Sequence, residues 1–165
     1  MTAEEGTRRA CVLTVSDRAA LGSYPDESGP TVAAALSELG FEVIETAVVP
    51  DGDAVSSQLR AWIAAEIPLV ITTGGTGLSP RDMTPEQTRQ VIERVVPGIA
   101  ERIRGFSVDR VPAAALSRGI AGVADRTLII NVPGSVGGAR DGVAALAQIL
   151  GHAVDQVVGG DHGPS

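Results

Sequence analysis

The segment of residues 72–86, TTGGTGLSPRDMTPE, constrains the fold more than any other part of the chain. It follows residues 69–71, a short apolar run typical of a buried strand, and it leads into a sequence typical of a helix start. Three glycines, Gly74, Gly75 and Gly77, let the backbone adopt conformations that other residues avoid and approach a ligand closely. A strand that ends in such a loop and continues into a helix is typical of open α/β sheets that bind phosphate esters.

Apolar runs and segments of helical periodicity alternate along the rest of the chain. The predicted strands are residues 11–15, 41–49, 69–73 and 127–132. Apolar stripes predict helices within residues 32–39, 53–63, 84–95, 99–104 and 143–157, whereas residues 108–125 show no regular pattern. Several strands are apolar throughout, which is typical of a mostly parallel sheet covered by helices on both faces. We therefore predict an α/β fold, a three-layer αβα sandwich with a mostly parallel sheet.

Length and hydrophobicity predict a folded protein of ordinary size. A chain of 165 residues is most simply one domain, with a core at residues 11–158 and tails at residues 1–10 and 159–165. A hydrophobic content of 44% favours a folded chain over a disordered one. No apolar stretch approaches the roughly 18 residues that a membrane span needs, and the N-terminus is polar and acidic, unlike a signal peptide. We expect a cytoplasmic protein with no membrane partner.

Charge and residue usage exclude several classes of function. A net charge of −7 and only four aromatic residues do not predict nucleic-acid binding, which normally needs a basic stripe. All 13 basic residues are arginine, so the chain has no P-loop lysine, Schiff-base lysine or lysine general base. The single cysteine, Cys11, lies in an apolar run and is predicted to be a buried structural thiol. His152 and His162 lie near the C-terminus and are predicted to be surface residues, which argues against a zinc site.

Four polar loops follow the predicted strands, and the carboxyl ends of parallel strands lie at one edge of a sheet. These loops are residues 16–18, 50–51, 74–82 and 131–135. We therefore expect them to converge on one crevice. Simpler roles are open for some of them: Asp51 as a helix N-cap, Asp82 as an acid that stabilises the next helix through its dipole, and residues 131–135 as a plain turn. Because Thr84, Pro85 and Gln87 fit a capping box with Thr84 as the N-cap, Asp82 is left for a ligand.

The inventory of these loops favours one kind of chemistry. It consists of backbone N–H groups, arginines and two carboxylates, Asp51 and Asp82, that are suited to Mg²⁺. No histidine, lysine or cysteine is placed for general-base or covalent catalysis. Phosphoryl or nucleotidyl transfer needs mainly positioning and charge neutralisation, and it suits this inventory best if the nucleophile is itself a phosphate.

Four segments together resemble the MogA/MoaB family, which includes the gephyrin and plant G domains. They are residues 72–86, Asp51 after Pro50, Leu116-Ser117-Arg118, and residues 127–135, and the likeness runs over nearly all of residues 11–158. The resemblance implies a MogA/MoaB-like fold and molybdopterin adenylyltransferase activity in molybdenum cofactor synthesis. In that reaction Mg²⁺ and ATP adenylate the terminal phosphate of molybdopterin and release pyrophosphate. The resemblance also implies a homotrimer, and a hand-off of product to the molybdate-insertion enzyme.

Carried over residue by residue, the resemblance implies three groups of site residues. Asp51 and Asp82 match the two essential aspartates and are expected to position Mg²⁺ and ATP. The expected nucleotide-binding residues are Gly74, Gly75, Thr76, Gly77 and Arg81. The expected substrate-binding residues are Ser16, Asp17, Ser117, Arg118, Asn131, Pro133, Gly134 and Ser135.

Two other functions are compatible with the resemblance. Residues 119–126 look more like the MoaB branch, some members of which are thought not to transfer the adenylyl group, so a catalytically silent molybdopterin-binding paralogue is the alternative. Residues 80–86 instead favour the active type. A scaffold role like that of gephyrin is the third possibility, but the chain shows no linker or extra domain for it.

Overall fold

The computed structural model describes residues 7–159. The strands are β1 (Arg8–Val15), β2 (Phe41–Val49), β3 (Leu69–Thr73), β4 (Arg94–Val95), β5 (Ala121–Ala124) and β6 (Thr127–Val132). The helices are α1 (Asp17–Ala20), α2 (Ser28–Glu38), α3 (Asp53–Ala64), α4 (Thr84–Arg89), α5 (Pro97–Ser107), α6 (Val136–Ala144) and α7 (Leu150–Val157). A 3₁₀ helix, Pro112–Leu116, lies between α5 and β5.

The six strands form one sheet in the order β2-β1-β3-β6-β5-β4. β2, β1, β3 and β6 are parallel, whereas β5 pairs antiparallel with β6, and β4 antiparallel with β5. The four predicted strands are the four parallel ones. The prediction of an α/β fold with a mostly parallel sheet is therefore confirmed.

Alternate residues of the central strand β1 enter two separate cores. Ala10 and Val12 pack in a cluster that includes Val32 and Leu36 of α2. Cys11 and Leu13 pack in a second cluster with residues of α3 such as Leu59 and Trp62. Because successive side chains of a strand point to opposite faces, these two cores lie on the two sides of the sheet, as in a three-layer sandwich.

Cys11 is a buried core residue, as predicted. Burial, with a smaller contribution from the nearby Glu45 carboxylate, raises the pKa of its thiol to about 11. The thiol therefore stays protonated at neutral pH, which does not suit a nucleophile. His152 is exposed, also as predicted, and His162 lies outside the described residues.

Several predicted element boundaries are wrong. β1 begins at Arg8, inside the predicted tail. The predicted helix over residues 84–95 ends at Arg89, and Arg94 and Val95 instead form a strand that pairs with β5. The short strands β4 and β5 have no strong local pattern. Each forms because another strand supplies its hydrogen bonds.

The predicted last helix is two helices, α6 and α7, joined by residues 145–149. In this turn the amides of Leu146, Ala147 and Ile149 bond to carbonyls three residues earlier, which winds the chain more tightly than an α-helix. The apolar stripe continues through the turn, with Ala145 and Leu146 buried, so periodicity alone did not indicate the break. No helix within residues 7–159 has the length and apolar character that a membrane crossing requires.

Candidate active site

The loops that follow β1, β2, β3 and β6 touch one another at the carboxyl edge of the sheet. The Asp51 amide donates to Asp17 Oδ1 (3.0 Å), which joins the loops after β2 and β1. Thr73 Oγ1 donates to the carbonyl of Pro133 (2.8 Å), which joins the loops after β3 and β6. The Gly74 amide donates to the carbonyl of Val132 (3.2 Å). The structure thus brings the four loops expected from the sequence to one place.

Two glycines in the loop after β3 adopt backbone conformations that side chains rarely allow. Gly74 has φ of 100° and Gly75 has φ of 67°. A Cβ on Gly74 would overlap the carbonyl oxygen of Val15. A Cβ on Gly75 would overlap Thr84 Oγ1 and lie 2.7 Å from Asp51 Oδ2. Glycine is therefore required here both by the positive φ and by the closeness of the neighbouring loops.

Asp51 joins two loops through its side chain. Its Oδ1 accepts hydrogen bonds from the amides of Gly52 (2.9 Å) and Met83 (3.0 Å). The N-cap of α3 is Gly52, and no side chain caps that helix, so Asp51 is not the helix cap that was one alternative. Partial burial of its carboxyl raises the pKa of Asp51, and the nearby acids Asp82 and Asp17 raise it further, against the effect of the two amide donors. An acid held in this way is suited to a cation.

Asp82 lies near the end of the glycine loop that follows β3. Its amide donates to the carbonyl of Ser79 (2.9 Å), and its Oδ2 accepts from the Ser79 amide (3.3 Å). The predicted capping box beside it is wrong: Met83 is the N-cap of α4, and Thr84 begins the helix. Thr84 is fully buried, and its Oγ1 has no hydrogen-bond partner among the described residues. Its amide bonds instead to the carbonyl of Gly75 (3.1 Å), which closes the loop.

Asp17 and Arg81 form an ion pair at the mouth of this region. Arg81 Nη2 lies 2.6 Å from Asp17 Oδ2, and the arginine side chain is 77% exposed. Both oxygens of Asp17 are used within the protein, one by Arg81 and one by the Asp51 amide. Asp17 therefore orients other residues of the site, whereas Arg81 remains accessible to a ligand. We call the set of Asp17, Asp51, Gly75, Arg81 and Asp82 the loop side.

The Arg118 side chain fixes the glycine loop by hydrogen bonds to its backbone carbonyls. Its Nε donates to the carbonyl of Gly77 (2.8 Å), its Nη2 to the carbonyl of Asp82 (2.6 Å), and its Nη1 pairs with Glu86 Oε1. The Arg118 amide also donates to the carbonyl of Thr76 (2.8 Å). The hydrogen bond from Arg118 Nη1 to Glu86 lowers the pKa of that carboxyl. Three of the five guanidinium N–H groups have protein partners, so the observed contacts fit a positioning role, and the expected substrate contact stays a prediction.

Asn131 also differs from its expected role in substrate binding. The residue is 2% exposed. The amide nitrogen donates to Thr72 Oγ1 (2.8 Å) and Thr88 Oγ1 (3.0 Å), and the amide oxygen accepts from the Ile120 amide (3.2 Å). Asn131 therefore fastens β6 to β3 and α4 beneath the site and has no free group to offer a ligand.

Three serines of the expected site act as hydrogen-bond acceptors. Ser16 and Ser135 are the N-caps of α1 and α6, accepting from the amides of Ala19 and Gly138. Ser117 Oγ accepts from the Gly119 amide (3.3 Å). Since a hydroxyl can accept and donate at once, each serine keeps its hydrogen for a ligand.

A cavity of about 650 Å³ opens beside Asp82. The expected site residues that line it are Gly75, Thr76, Gly77, Asp82, Ser117, Pro133, Gly134 and Ser135. Its opposite side comes from α5, the 3₁₀ helix and α6, and we call Ile103, Ser107, Val111, Leu116 and Asp141 the helix wall. The helix wall was not predicted, because residues 108–125 show no regular pattern and nothing in α6 marks Asp141 as a site residue. The size and mixed lining suit a small organic ligand.

A second cavity, of about 390 Å³, lies on the other side of the glycine loop. It is lined by Ser16, Tyr24 and Asp26 and by the backbone of Gly74, Gly75 and Gly134. The amides of Gly75, Thr76 and Gly77 donate no hydrogen bond to any of residues 7–159. A loop with free amide donors and a cavity on each side can bind an anionic group between two ligands.

Comparison with known proteins identifies relatives over most of the chain. Residues 11–152 match the family model described as a probable molybdopterin binding domain. The molybdopterin adenylyltransferase of Helicobacter pylori strain J99 is 38% identical over 152 residues, which are 90% of this chain and 86% of that protein. The molybdenum cofactor synthesis protein cinnamon of Drosophila melanogaster is 39% identical over 91% of this chain, but the chain spans only 25% of cinnamon.

A solved structure shows the same fold. The molybdopterin biosynthesis Mog protein of Mycobacterium ulcerans superposes with a TM-score of 0.87 at 49% identity, covering 91% of this chain and 99% of the other. The likeness thus extends through the sheet, the glycine loop and the helix wall. Because the family model spans most of its length, this chain belongs to the probable molybdopterin binding domain family.

Proposed function

We propose that this protein is a molybdopterin adenylyltransferase of molybdenum cofactor biosynthesis. The observation that carries the proposal is that Asp51 binds the Met83 amide at the end of the glycine loop, Asp82 lines one of the two cavities beside that loop, and the amides of Gly75, Thr76 and Gly77 are free. The names of curated relatives such as the Helicobacter pylori protein support it. In the proposed reaction the terminal phosphate of molybdopterin attacks the α-phosphorus of ATP. The new phosphorus–oxygen bond joins the two phosphates, and the bond to the leaving pyrophosphate breaks.

The residues present are suited to this reaction. A phosphate monoester loses its second proton near pH 6, so the nucleophile is already ionised and needs no protein base, which agrees with a site without histidine or lysine. The free amides of Gly75, Thr76 and Gly77 would bind phosphate oxygens, and the exposed Arg81 would contact the nucleotide. The apolar part of the helix wall would pack against the flat pterin and exclude water.

The donor set also fits Mg²⁺. Residues 7–159 contain no group of three or more histidine, cysteine, aspartate or glutamate side chains able to hold a metal. Mg²⁺ does not need such a cage, because it commonly binds through one or two carboxylates together with waters and substrate phosphates. Asp51 and Asp82 would be those carboxylates. When bound, the ion neutralises charge on the triphosphate and on the leaving pyrophosphate.

Three further assignments belong to this proposal. We propose that the protein acts as a homotrimer, like the family it resembles, and that it passes its product to the enzyme that inserts molybdate. We also propose that it works in the cytoplasm, where ATP is available.

The decisive experiment is a turnover assay on the purified protein with molybdopterin and Mg-ATP. We expect pyrophosphate and adenylated molybdopterin in equal amounts, and almost no turnover by Asp82→Asn. Asp109→Asn is the matched control, since Asp109 is exposed and lies outside the cavity lining. Binding of molybdopterin without pyrophosphate release under any metal condition would refute the proposal and favour a silent paralogue.

A further inference from the structure

Asp141 of α6 lies on the helix wall, where no sequence pattern placed a site residue. Its Oδ2 accepts hydrogen bonds from Ser107 Oγ (2.9 Å) and from Arg110 Nη2 (3.2 Å). Its side chain is 25% exposed. Two partners on α5 and just beyond it therefore hold this carboxylate in one orientation at the edge of the cavity.

The second oxygen of this carboxylate has no partner. Within residues 7–159, Asp141 Oδ1 accepts no hydrogen bond, and it is not among the buried unpaired atoms, so it remains reachable from the cavity. The other charged residue of this side, Arg104, already donates from Nη1 to the carbonyls of Ser117 (3.2 Å) and Gly119 (3.0 Å). Asp141 thus presents an oriented acceptor beside the apolar residues Ile103 and Val111.

We propose that Asp141 determines specificity for the pterin ring by accepting hydrogen bonds from its 2-amino group and its N3–H group. The inference rests on the proposed function, which brings a pterin to this cavity. The two donors are adjacent on one edge of the ring, and an ionised carboxylate oxygen has two lone pairs that accept hydrogen bonds. Oδ2 already accepts from Ser107 and Arg110, so Oδ1, whose two lone pairs are both free, accepts from these donors. A ring with an oxo group in place of the 2-amino group puts an acceptor opposite the carboxylate and is rejected.

A purely structural role for Asp141 predicts a different outcome. If the carboxylate served only to anchor Ser107 and Arg110, losing either partner would matter as much as losing the carboxylate. Ser107→Ala and Arg110→Ala remove the partners and leave the acceptor. We therefore expect these two variants to retain discrimination between pterin rings, and Asp141→Asn to lose it.

The first test uses the wild-type protein. Competition of 6-hydroxymethylpterin and 6-hydroxymethyllumazine with molybdopterin, followed by equilibrium dialysis, should show pterin binding at least about 10-fold more tightly than its 2-oxo counterpart. Equal competition by the two rings would overturn the inference. This measurement needs no variant and no turnover.

The second test compares Asp141→Asn with the control Asp109→Asn. We expect the KM for molybdopterin to rise at least about 10-fold in Asp141→Asn, with the KM for ATP unchanged within about twofold, and the preference for pterin over lumazine to disappear. An unchanged KM and unchanged ring preference would overturn the inference while the proposed function stands. Molybdopterin binding that depends on Asp141 in a protein that releases no pyrophosphate would refute the proposed function but support this inference.

Discussion

The loop side and the helix wall meet at one cavity, which Gly75 and Asp82 line from the loop side, but they are built from different kinds of chain. On the loop side, Asp51 and Asp82 are held by backbone amides and carbonyls at the ends of parallel strands. On the helix wall, apolar side chains of α5 and the 3₁₀ helix surround one oriented carboxylate, Asp141. The loop side provides charged side chains and backbone amide donors. The helix wall provides an apolar surface and one hydrogen-bond acceptor, the Asp141 carboxylate.

This difference separates two tasks that a transferase must perform. Groups that meet charge developing in the transition state change kcat, whereas groups that bind the substrate equally before and during the reaction change KM. We therefore expect loop-side changes to lower kcat and helix-wall changes to raise the KM for molybdopterin. Arg118 lies under the glycine loop and joins the two regions, because it contacts Gly77 and Asp82 and follows the wall residue Leu116 closely in sequence.

The largest effect is expected from Asp51→Asn on the loop side. The substitution keeps an oxygen for the amides of Gly52 and Met83 but removes the charge proposed to hold Mg²⁺. We expect kcat to fall about 100- to 1,000-fold, by analogy with other losses of transition-state charge stabilisation. The matched control is Asp53→Asn, an exposed acid two residues away, which should stay near wild type. If the variant had the same Kd for Mg-ATP and the same kcat as the wild type, Asp51 would have no role in the reaction.

Gly75→Ala tests whether the shape of the loop matters as much as its charges. The new Cβ would overlap Thr84 Oγ1 and crowd Asp51, and φ of 67° is unfavourable for alanine. We expect a loss of about 1–3 kcal/mol in the free energy of unfolding and a large fall in kcat, measured by urea denaturation and turnover.

Gly105→Ala is the control for Gly75→Ala. Gly105 lies within α5 with open space around it, so alanine should raise stability by about 0.5–1 kcal/mol without changing turnover. If Gly75→Ala were also neutral, the close approach of the loops would not be a requirement of the site.

Arg118→Lys should give an intermediate effect on both regions. Lysine keeps the charge but cannot contact Gly77, Asp82 and Glu86 at the same time. We expect kcat/KM to fall about 10-fold and hydrogen exchange of residues 76–82 to become faster. Arg89→Lys, at an exposed arginine of α4, is the control. A direct role for Arg118 in binding the substrate would instead raise the KM for molybdopterin with no change in exchange.

The smallest expected effect is on the pH dependence of stability. Burial raises the pKa of Asp51, so the folded protein binds this proton more tightly than the unfolded chain does. Ionisation of Asp51 therefore costs stability at every pH above its folded-state pKa. Asp51→Asn should raise the Tm at neutral pH by a few degrees at most, and the gain should disappear as the pH falls through that pKa towards about 3.9, the ordinary value for aspartate. A Tm at or below that of wild type at neutral pH would contradict this.

Much of the loop side could be predicted from local sequence. Gly74 and Gly75 stand where positive φ is needed, and strands such as Thr127–Val132 carry an apolar run that ends at a polar loop. The parallel arrangement then places those loops at one edge of the sheet. The direction of individual side chains was not predictable in this way. Asn131 turns into the core, and Arg118 turns towards the carbonyls of the glycine loop, because hydrogen-bonding partners from distant segments are buried there.

The sequence by itself determined the parallel part of the sheet, its two cores and the loop that carries Asp82, because apolar runs, glycines and helix starts are local signals. Only the tertiary structure decided the two antiparallel strands, the break between α6 and α7, and the helix wall with Asp141. Those features depend on contacts between segments far apart in the chain. A short strand forms only where a partner supplies its hydrogen bonds, and an acid on a helix becomes a site residue only where folding brings Ser107 and a cavity beside it.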